Sequence, residues 1–366
     1  MLKNIDKKYL YILGALIGIP IVLILFLALI RGCSSGKSSY ESYEKKMVSA
    51  AEKYFTNKKI LPITEGGTVT VTLDELVKGD YIKNPEKKLD DKTCIGSVTV
   101  RNNGVSFEKN DGGFYVYIPN LSCDKYNTVH LIDKLKEDIV TEKSCLYETS
   151  DGFVYKGAKV NNYVKFSGSL YRIISIDNNN VLKLIKDNQE KDSYIWDKKY
   201  NLETKQNDGT NDFSDSIIID TLYDFYSSFN KDDKKHIMAY NACYGNRSET
   251  YTNKDTIYEC SKTIDNLFVG LMNTFDYFNA SYDSNCIAYD SPSCRNYNYL
   301  YDMLDDTWLM NGISDNSYYV FYYSTGYFEL SKANSYRKVN IVINIDGNEV
   351  YTKGDGSLDN PYVINN

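Results

Sequence analysis

Histidine is almost missing from this chain: His130, in Thr128-Val129-His130-Leu131, and His236, in Lys234-Lys235-His236-Ile237, are the only two in 366 residues. Neither stands beside a serine or cysteine in a nucleophile elbow or box, so a hydrolase triad has no support. No two cysteines have the Cys-x-x-Cys spacing of a zinc ribbon or redox centre, and the scarcity of histidine weakens a zinc reading further. Phosphate cradles are missing as well: there is no G-x-x-x-x-G-K-[ST], and no G-x-G-x-x-G follows a strand pattern. An excess of basic residues is also lacking. The formal net charge of −7 argues against nucleic acid or anionic lipid as a partner. With only six prolines and 42% hydrophobic residues the chain is no disordered tail, because it has enough apolar surface to bury cores.

A further absence is local. Tyr9 to Ile30 contains no charged side chain and is followed at once by Arg31 and a polar run. As a helix it would be about 33 Å long, enough for a hydrocarbon core of about 30 Å. It exceeds the apolar core of a secretory signal, about 7–15 residues, and lacks a small-x-small cleavage site. The expected layout is a cytoplasmic tail at 1–8, a single-pass signal-anchor helix at 9–30 and a polar linker at 31–39, with the rest as an ectodomain. Positive charges on the two sides nearly balance, so orientation rests on the cysteines. Cys94/Cys123, Cys243/Cys260 and Cys286/Cys294 are close in sequence, as disulfides in an oxidising space would be. That places the C-terminal part outside the plasma membrane. Cys145 and Cys33 are left over. Ile30-Arg31-Gly32-Cys33-Ser34-Ser35 resembles a lipoprotein box, so Cys33 is a lipidation candidate alongside the retained helix.

Thirty-five tyrosines against two tryptophans have two readings: strand residues with one polar tip at half-buried sites, or exposed platforms for sugars and peptides. The pattern predicts an α+β chain with two folded units. In the first, residues 40–125, apolar positions at Tyr40, Tyr43, Met47, Ala50, Ala51, Tyr54 and Phe55 give one face of a helix. Strands are expected at Thr68–Thr72, Ile95–Arg101, Val105–Glu108 and Phe114–Ile118, with a short helix at Leu73–Lys78. Residues 126–151 read as a linker. The second unit, 152–366, opens with a three-strand meander over Tyr163–Ile185, turning at Ser167-Gly168 and at Asp177–Asn180. A helix at Ser216–Phe229, a hairpin at Tyr318–Leu330 and a core strand at Lys338–Asn344 follow.

The plan of a hydrophobic helix running into an amphipathic one and a small disulfide-linked sheet resembles type IV pilins and pseudopilins. Ala50-Ala51-Glu52-Lys53-Tyr54-Phe55, Leu61-Pro62, Val71–Leu76 and Gly79–Lys83 carry the likeness. The Gly-Phe-x-x-x-Glu processing site of those proteins is missing, so the likeness covers only the anchored head. Beyond Gly152, the Tyr163–Ile176 meander, Val269-Gly270-Leu271-Met272, Tyr277-Phe278-Asn279-Ala280, the hairpin and the closing Gly354–Ile364 resemble surface domains of Gram-positive and wall-less bacteria. These are distantly similar to formylglycine-generating-enzyme and C-type-lectin-like folds. No pair of reactive cysteines equivalent to that enzyme's is present, and no catalytic residue carries over.

Candidate sites are few. Asp208, Asp212 and Asp215 lie close enough in sequence to suggest a calcium site, without matching an EF-hand loop; a solvated turn is the other reading, for them and for Asp355 and Asp359. No other cofactor is implied. Tyr297, Tyr299, Trp308, Tyr318 and Tyr322 are candidate ligand contacts in the loops between Tyr244 and Tyr323. The sequence therefore suggests a non-catalytic display or adhesion protein binding a glycan, peptide or surface ligand, without nucleic acid. An enzyme acting on envelope polymers through spatially paired carboxylates, or a minor pseudopilin-like component of a secretion or uptake machine, is the alternative.

Overall fold

The structure is a computed structural model that describes residues 39–104, 115–137, 146–248, 260–287 and 291–364. The apolar stretch 9–30, Cys33, Cys145 and the expected strand at Val105–Glu108 lie outside these residues. Among the described residues no helix is long and apolar enough to cross a membrane. The chain is α+β, with mostly antiparallel strands, and divides into two units built from interleaved segments. The first holds residues 39–61, 69–99 and 119–128. The second holds 62–68, 100–104, 115–118 and the described residues from 129 onward.

In the first unit a helix spans 39–58. Its apolar residues recur three and four apart, so one face can be buried along its whole length, and Tyr40, Tyr43, Met47, Ala50, Ala51 and Phe55 are buried. The Tyr40 hydroxyl donates to Asp91 at 2.6 Å. Its ring stacks on Tyr126 at 4.6 Å. The helix Leu73–Lys78 starts with a reciprocal cap between Thr72 and Glu75. The Thr72 hydroxyl and backbone N–H hold the Glu75 carboxyl below its usual value. Strands Thr68–Thr72, Cys94–Asn102, Tyr115–Cys123 and Tyr126–Asn127 lie side by side in that order.

Cys94 and Cys123 are bonded across this sheet, 29 residues apart in sequence. Closing a loop of that length restricts the unfolded chain, so Cys94→Ala/Cys123→Ala is expected to destabilise the unit by about 2–4 kcal/mol. Proteolysis within the helix at 39–58, compared between variant and native chain, measures it; equal protection would show that the bond contributes nothing.

The second unit is organised by a ten-stranded curled sheet. Its main path runs Ile237–Met238, Val342–Asp346, Val181–Lys186, Ser169–Asp177, Tyr163–Phe166, Tyr362–Ile364, Tyr351–Lys353. All described pairings on it are antiparallel except that of Tyr362–Ile364, which lies parallel to Tyr163–Phe166, with Tyr362 opposite Val164. The predicted meander is present. Its first turn has Ser167 and Gly168 at φ 47° and 71°, the double positive φ that a tight hairpin turn requires. The predicted hairpin pairs Tyr319–Ser324 with Tyr327–Lys332 and adds Thr307–Gly312 as a third strand. Its turn, Thr325 and Gly326, repeats the double positive φ.

Three boundaries differ from the sequence reading. Residues 126–151 contain the strand Tyr126–Asn127, the helix Leu131–Glu137 and the strand Leu146–Thr149. Leu131, Ile132 and Leu135 belong to the main core, so this part of the segment is packed against the second unit's core. The helix expected at Ser216–Phe229 spans Ile218–Ser228 and buries Ile218, Leu222 and Tyr226. A separate 3-10 turn, Phe213–Asp215, precedes it, with Asp212 accepting from the Ser214 N–H. The core strand expected at Lys338–Asn344 is Val342–Asp346 instead, with Val339 and Ile341 buried but outside it, and Tyr362–Ile364 follows it as a later core strand.

Candidate functional site

Alternation along the central strands sets the chemistry of the sheet's two faces. Ile343, Ile345, Leu182, Leu184 and Ile176 enter the core. The intervening residues point the other way. Ser175 pairs with Lys183, Lys183 with Asn344 and Asn344 with Met238, so four neighbouring strands place these side chains in one row on the same face.

Tyr240 and Asn241 line two cavities beside this row. One, of about 220 Å³, is walled by Lys183, Tyr240, Asn241, Asn273 and Asn344. The other, of about 340 Å³, is walled by Arg101, Asn103, Tyr240 and Asn241. Both are near the lower end of ligand-sized pockets.

Two ion pairs anchor the walls. Lys183 Nζ donates to Asp276 Oδ2 at 2.6 Å, and Asp276 is fixed at the start of the helix Thr274–Ala280 by reciprocal hydrogen bonds with Asn273. Arg101 donates to Asp346 Oδ2 at 2.7 Å, while the other oxygen of Asp346 accepts from the backbone and side-chain amides of Asn348. Asp177 accepts the N–H groups of Asn179 and Val181. Each carboxylate thus has a cation or backbone donors of its own.

Against this order, four buried polar atoms have no hydrogen-bond partner: Tyr240 hydroxyl, Asn344 Oδ1, Asn103 Oδ1 and Arg101 Nε. A buried orphan costs about 1–3 kcal/mol, so such atoms are rare and their gathering along one pair of cavities calls for an explanation. Burial first, and the charge of Asp276 second, push the Tyr240 hydroxyl well above the usual phenol range. It stays a neutral group that can both donate and accept. The hydroxyl also lies against Gly270, where an added Cβ would come within 2.2 Å of it. Gly270→Ala is therefore expected to push Tyr240 off its position and to lower stability by about 1–3 kcal/mol, read in urea unfolding; an unchanged midpoint would mean that the ring yields freely.

The residues singled out in the sequence fall elsewhere. Trp308 is fully buried and its indole N–H donates to the Tyr194 carbonyl at 2.8 Å. Tyr299 is buried beneath the Arg172 guanidinium. Tyr322 is buried, with Glu329 on its hydroxyl and Arg337 over its ring; burial and then Glu329 push it up to about 12. Tyr318 is half-buried against Tyr319. Tyr299, Trp308 and Tyr322 contribute to the packed core. Tyr297 alone of the five is exposed.

The calcium candidates do not converge either. Asp208 pairs with Lys332, Asp212 with Lys262 and Asp215 with Lys199. Burial works against the Asp212 anion, but Lys262, Ser214 and the Tyr244 hydroxyl hold its carboxyl below the usual value. Among the described residues the one group with metal-ligand spacing is Asp91 with Cys94 and Cys123, whose two sulfurs are bonded to each other. Cys243–Cys260 and Cys286–Cys294 are likewise joined, as the spacing suggested.

Of the two histidines, His236 lies 2.7 Å from Glu349 Oε1. Burial disfavours its cation, but Glu349, with Asp233 acting the same way and Lys235 against, leaves its pKa above the ordinary imidazole value. A raised folded pKa contributes stability that is complete below the unfolded value of about 6.5 and is lost as pH rises through the folded one. The unfolding midpoint is expected to fall across that window, and Glu349→Gln to flatten the decline; an equal slope in both chains would assign it to other groups.

No family model, curated protein or solved structure matches the chain.

Proposed function

We propose that this is a non-catalytic binding protein of the cell surface, which holds a neutral glycan along the two cavities flanking Tyr240 and Asn241. The observation that carries the reading is the set of four unpartnered buried polar atoms there. A sugar presents hydroxyls that donate and accept, and could satisfy Asn Oδ1 acceptors, a guanidinium Nε–H and a phenol once the cavity walls part to admit it, since none of the four atoms is open to water as the walls stand. The charges of the walls are already balanced as Lys183–Asp276 and Arg101–Asp346, which favours an uncharged polar guest over an ionic one. The same pairing engages the carboxylates with cations, whereas glycoside hydrolysis needs one of a facing pair as a protonated acid.

The protein is tethered by the apolar segment 9–30, N-terminus in the cytoplasm, and displays both units outside the cell. Three disulfides support an oxidising location. The pilin-like and lectin-like resemblances fit a display role.

The test is a glycan and cell-wall-fragment array probed with the full-length chain in neutral detergent. A bound glycan is expected to lose about tenfold in affinity with Tyr240→Phe and with Asn241→Ala, about 1.4 kcal/mol each. Binding that ignores both substitutions would move the ligand elsewhere. Cleavage of an arrayed polymer, abolished by Asp276→Asn, would replace binding by hydrolysis.

A further inference from the structure

The first unit contains a cavity of about 260 Å³ between the helix at 39–58 and the segment 81–88. Tyr43, Lys46, Ala50 and Lys53 form the helix side, spaced three, four and three residues apart, so they project along one stripe. Tyr81, Ile82, Lys83 and Lys88 form the other side. The Tyr43 hydroxyl donates to the Lys83 carbonyl at 2.7 Å and ties the two walls together, and Tyr54 meets Tyr81 edge to face at 5.3 Å.

Four lysines therefore border one cavity whose lining contains no carboxylate. None of the four is ion-paired with an acidic side chain among the described residues. Flexible exposed lysines gain from moving apart, yet Lys46 first, with Lys83 adding to it, makes Lys88 release its proton more readily than usual.

We infer that this lysine-walled cavity is a binding site for a phosphate-bearing ligand. Ammonium groups approaching from two walls suit the diverging oxygens of a tetrahedral anion, each taking one as a point-charge contact. A planar carboxylate, with two oxygens and a single negative charge, matches four ammonium groups less well. The volume exceeds that of phosphate alone, leaving room for an attached polyol against Tyr81 and Ile82. The net charge of −7 belongs to the whole chain and is no obstacle, since beyond about 8–10 Å other surface charges are largely screened at physiological salt.

The probe is inorganic tripolyphosphate, titrated calorimetrically into the full-length chain in neutral detergent at low ionic strength. Saturable binding is expected, weakening as salt is added, and Lys46→Gln/Lys88→Gln should reduce affinity at least tenfold. Lys58→Gln/Lys59→Gln, exposed on the same unit but outside the cavity, should stay within twofold. No binding, or equal loss in the two variants, would overturn the site. Tyr240→Phe should leave this binding intact, which separates it from the glycan reading.

Two sources of the phosphate are separated by phosphatidylglycerol in mixed micelles, with phosphatidylcholine as control. Displacement of tripolyphosphate by phosphatidylglycerol alone assigns the site to a lipid headgroup; retention assigns it to a soluble or polymeric phosphodiester.

Discussion

Asp346→Ala is expected to lower the stability of the second unit by about 3–5 kcal/mol, the usual result of stripping one partner from a buried ion pair. Asp346 is 1% exposed and Arg101 14%, so the guanidinium left behind would have little water to replace its counter-ion. One nitrogen of Arg101 is already without a partner, and Asn348 would lose the acceptor for both of its N–H groups. Arg101→Met/Asp346→Leu should recover most of the loss, because the expense lies in an uncompensated buried charge rather than in the missing attraction. Urea unfolding followed by tryptophan fluorescence reports this unit specifically, since both tryptophans lie in it. A single-variant loss under about 1 kcal/mol would mean that the pair is as weak as a surface one.

Trp196→Ala is expected to cost about 4–5 kcal/mol, from the cavity left by a large aromatic and the unpaired carbonyl it leaves. The ring is fully buried beside Phe213. Its indole N–H donates to the Leu309 carbonyl at 3.1 Å, and its own carbonyl accepts the N–H of Ile218 at the start of a helix. One residue thus links the strand at Thr307–Gly312 to the helix at Ile218–Ser228. For a domain whose whole stability is about 5–15 kcal/mol, a loss of this size brings unfolding near to working temperature. Far-UV circular dichroism during urea unfolding would measure it; a shift of less than about 1 kcal/mol would show that the neighbours close the space. Trp196→Phe should retain most of the packing and lose the hydrogen bond.

Much of the architecture could be read from periodicity. The stripe Tyr40–Phe55, the meander with its Ser167-Gly168 turn, the hairpin at Thr325-Gly326 and three cysteine pairs are local patterns whose physics stays within a few turns or one loop. The helix Leu131–Glu137 was missed because Leu131, Ile132 and Leu135 sit among charged residues, although one apolar edge three and four residues apart suffices for a short docked helix. The burial of three ligand candidates was hidden for the opposite reason. Aromatic residues in loops suggested exposed platforms, but Tyr299, Trp308 and Tyr322 bury ring area that a folded core can use. The cavity-lining set left a fainter trace: Lys183 between Leu182 and Leu184, and Asn344 between Ile343 and Ile345, are single polar positions within core strands. That pattern marks a polar spot on the sheet. It could not say that Tyr240, or Arg101 from far earlier in the chain, would meet it, because only tertiary pairing brings them there.

The parallel pairing of Tyr362–Ile364 with Tyr163–Phe166 bears on the order of folding. The whole chain between Val164 and Tyr362 separates those two strands, and the entropy of closing so long a loop makes their pairing slow. Until then the flank of Tyr163–Phe166 presents free backbone donors and acceptors to any passing extended segment. The second unit therefore carries a window of vulnerability during synthesis, and crowded expression should favour aggregates seeded at that edge.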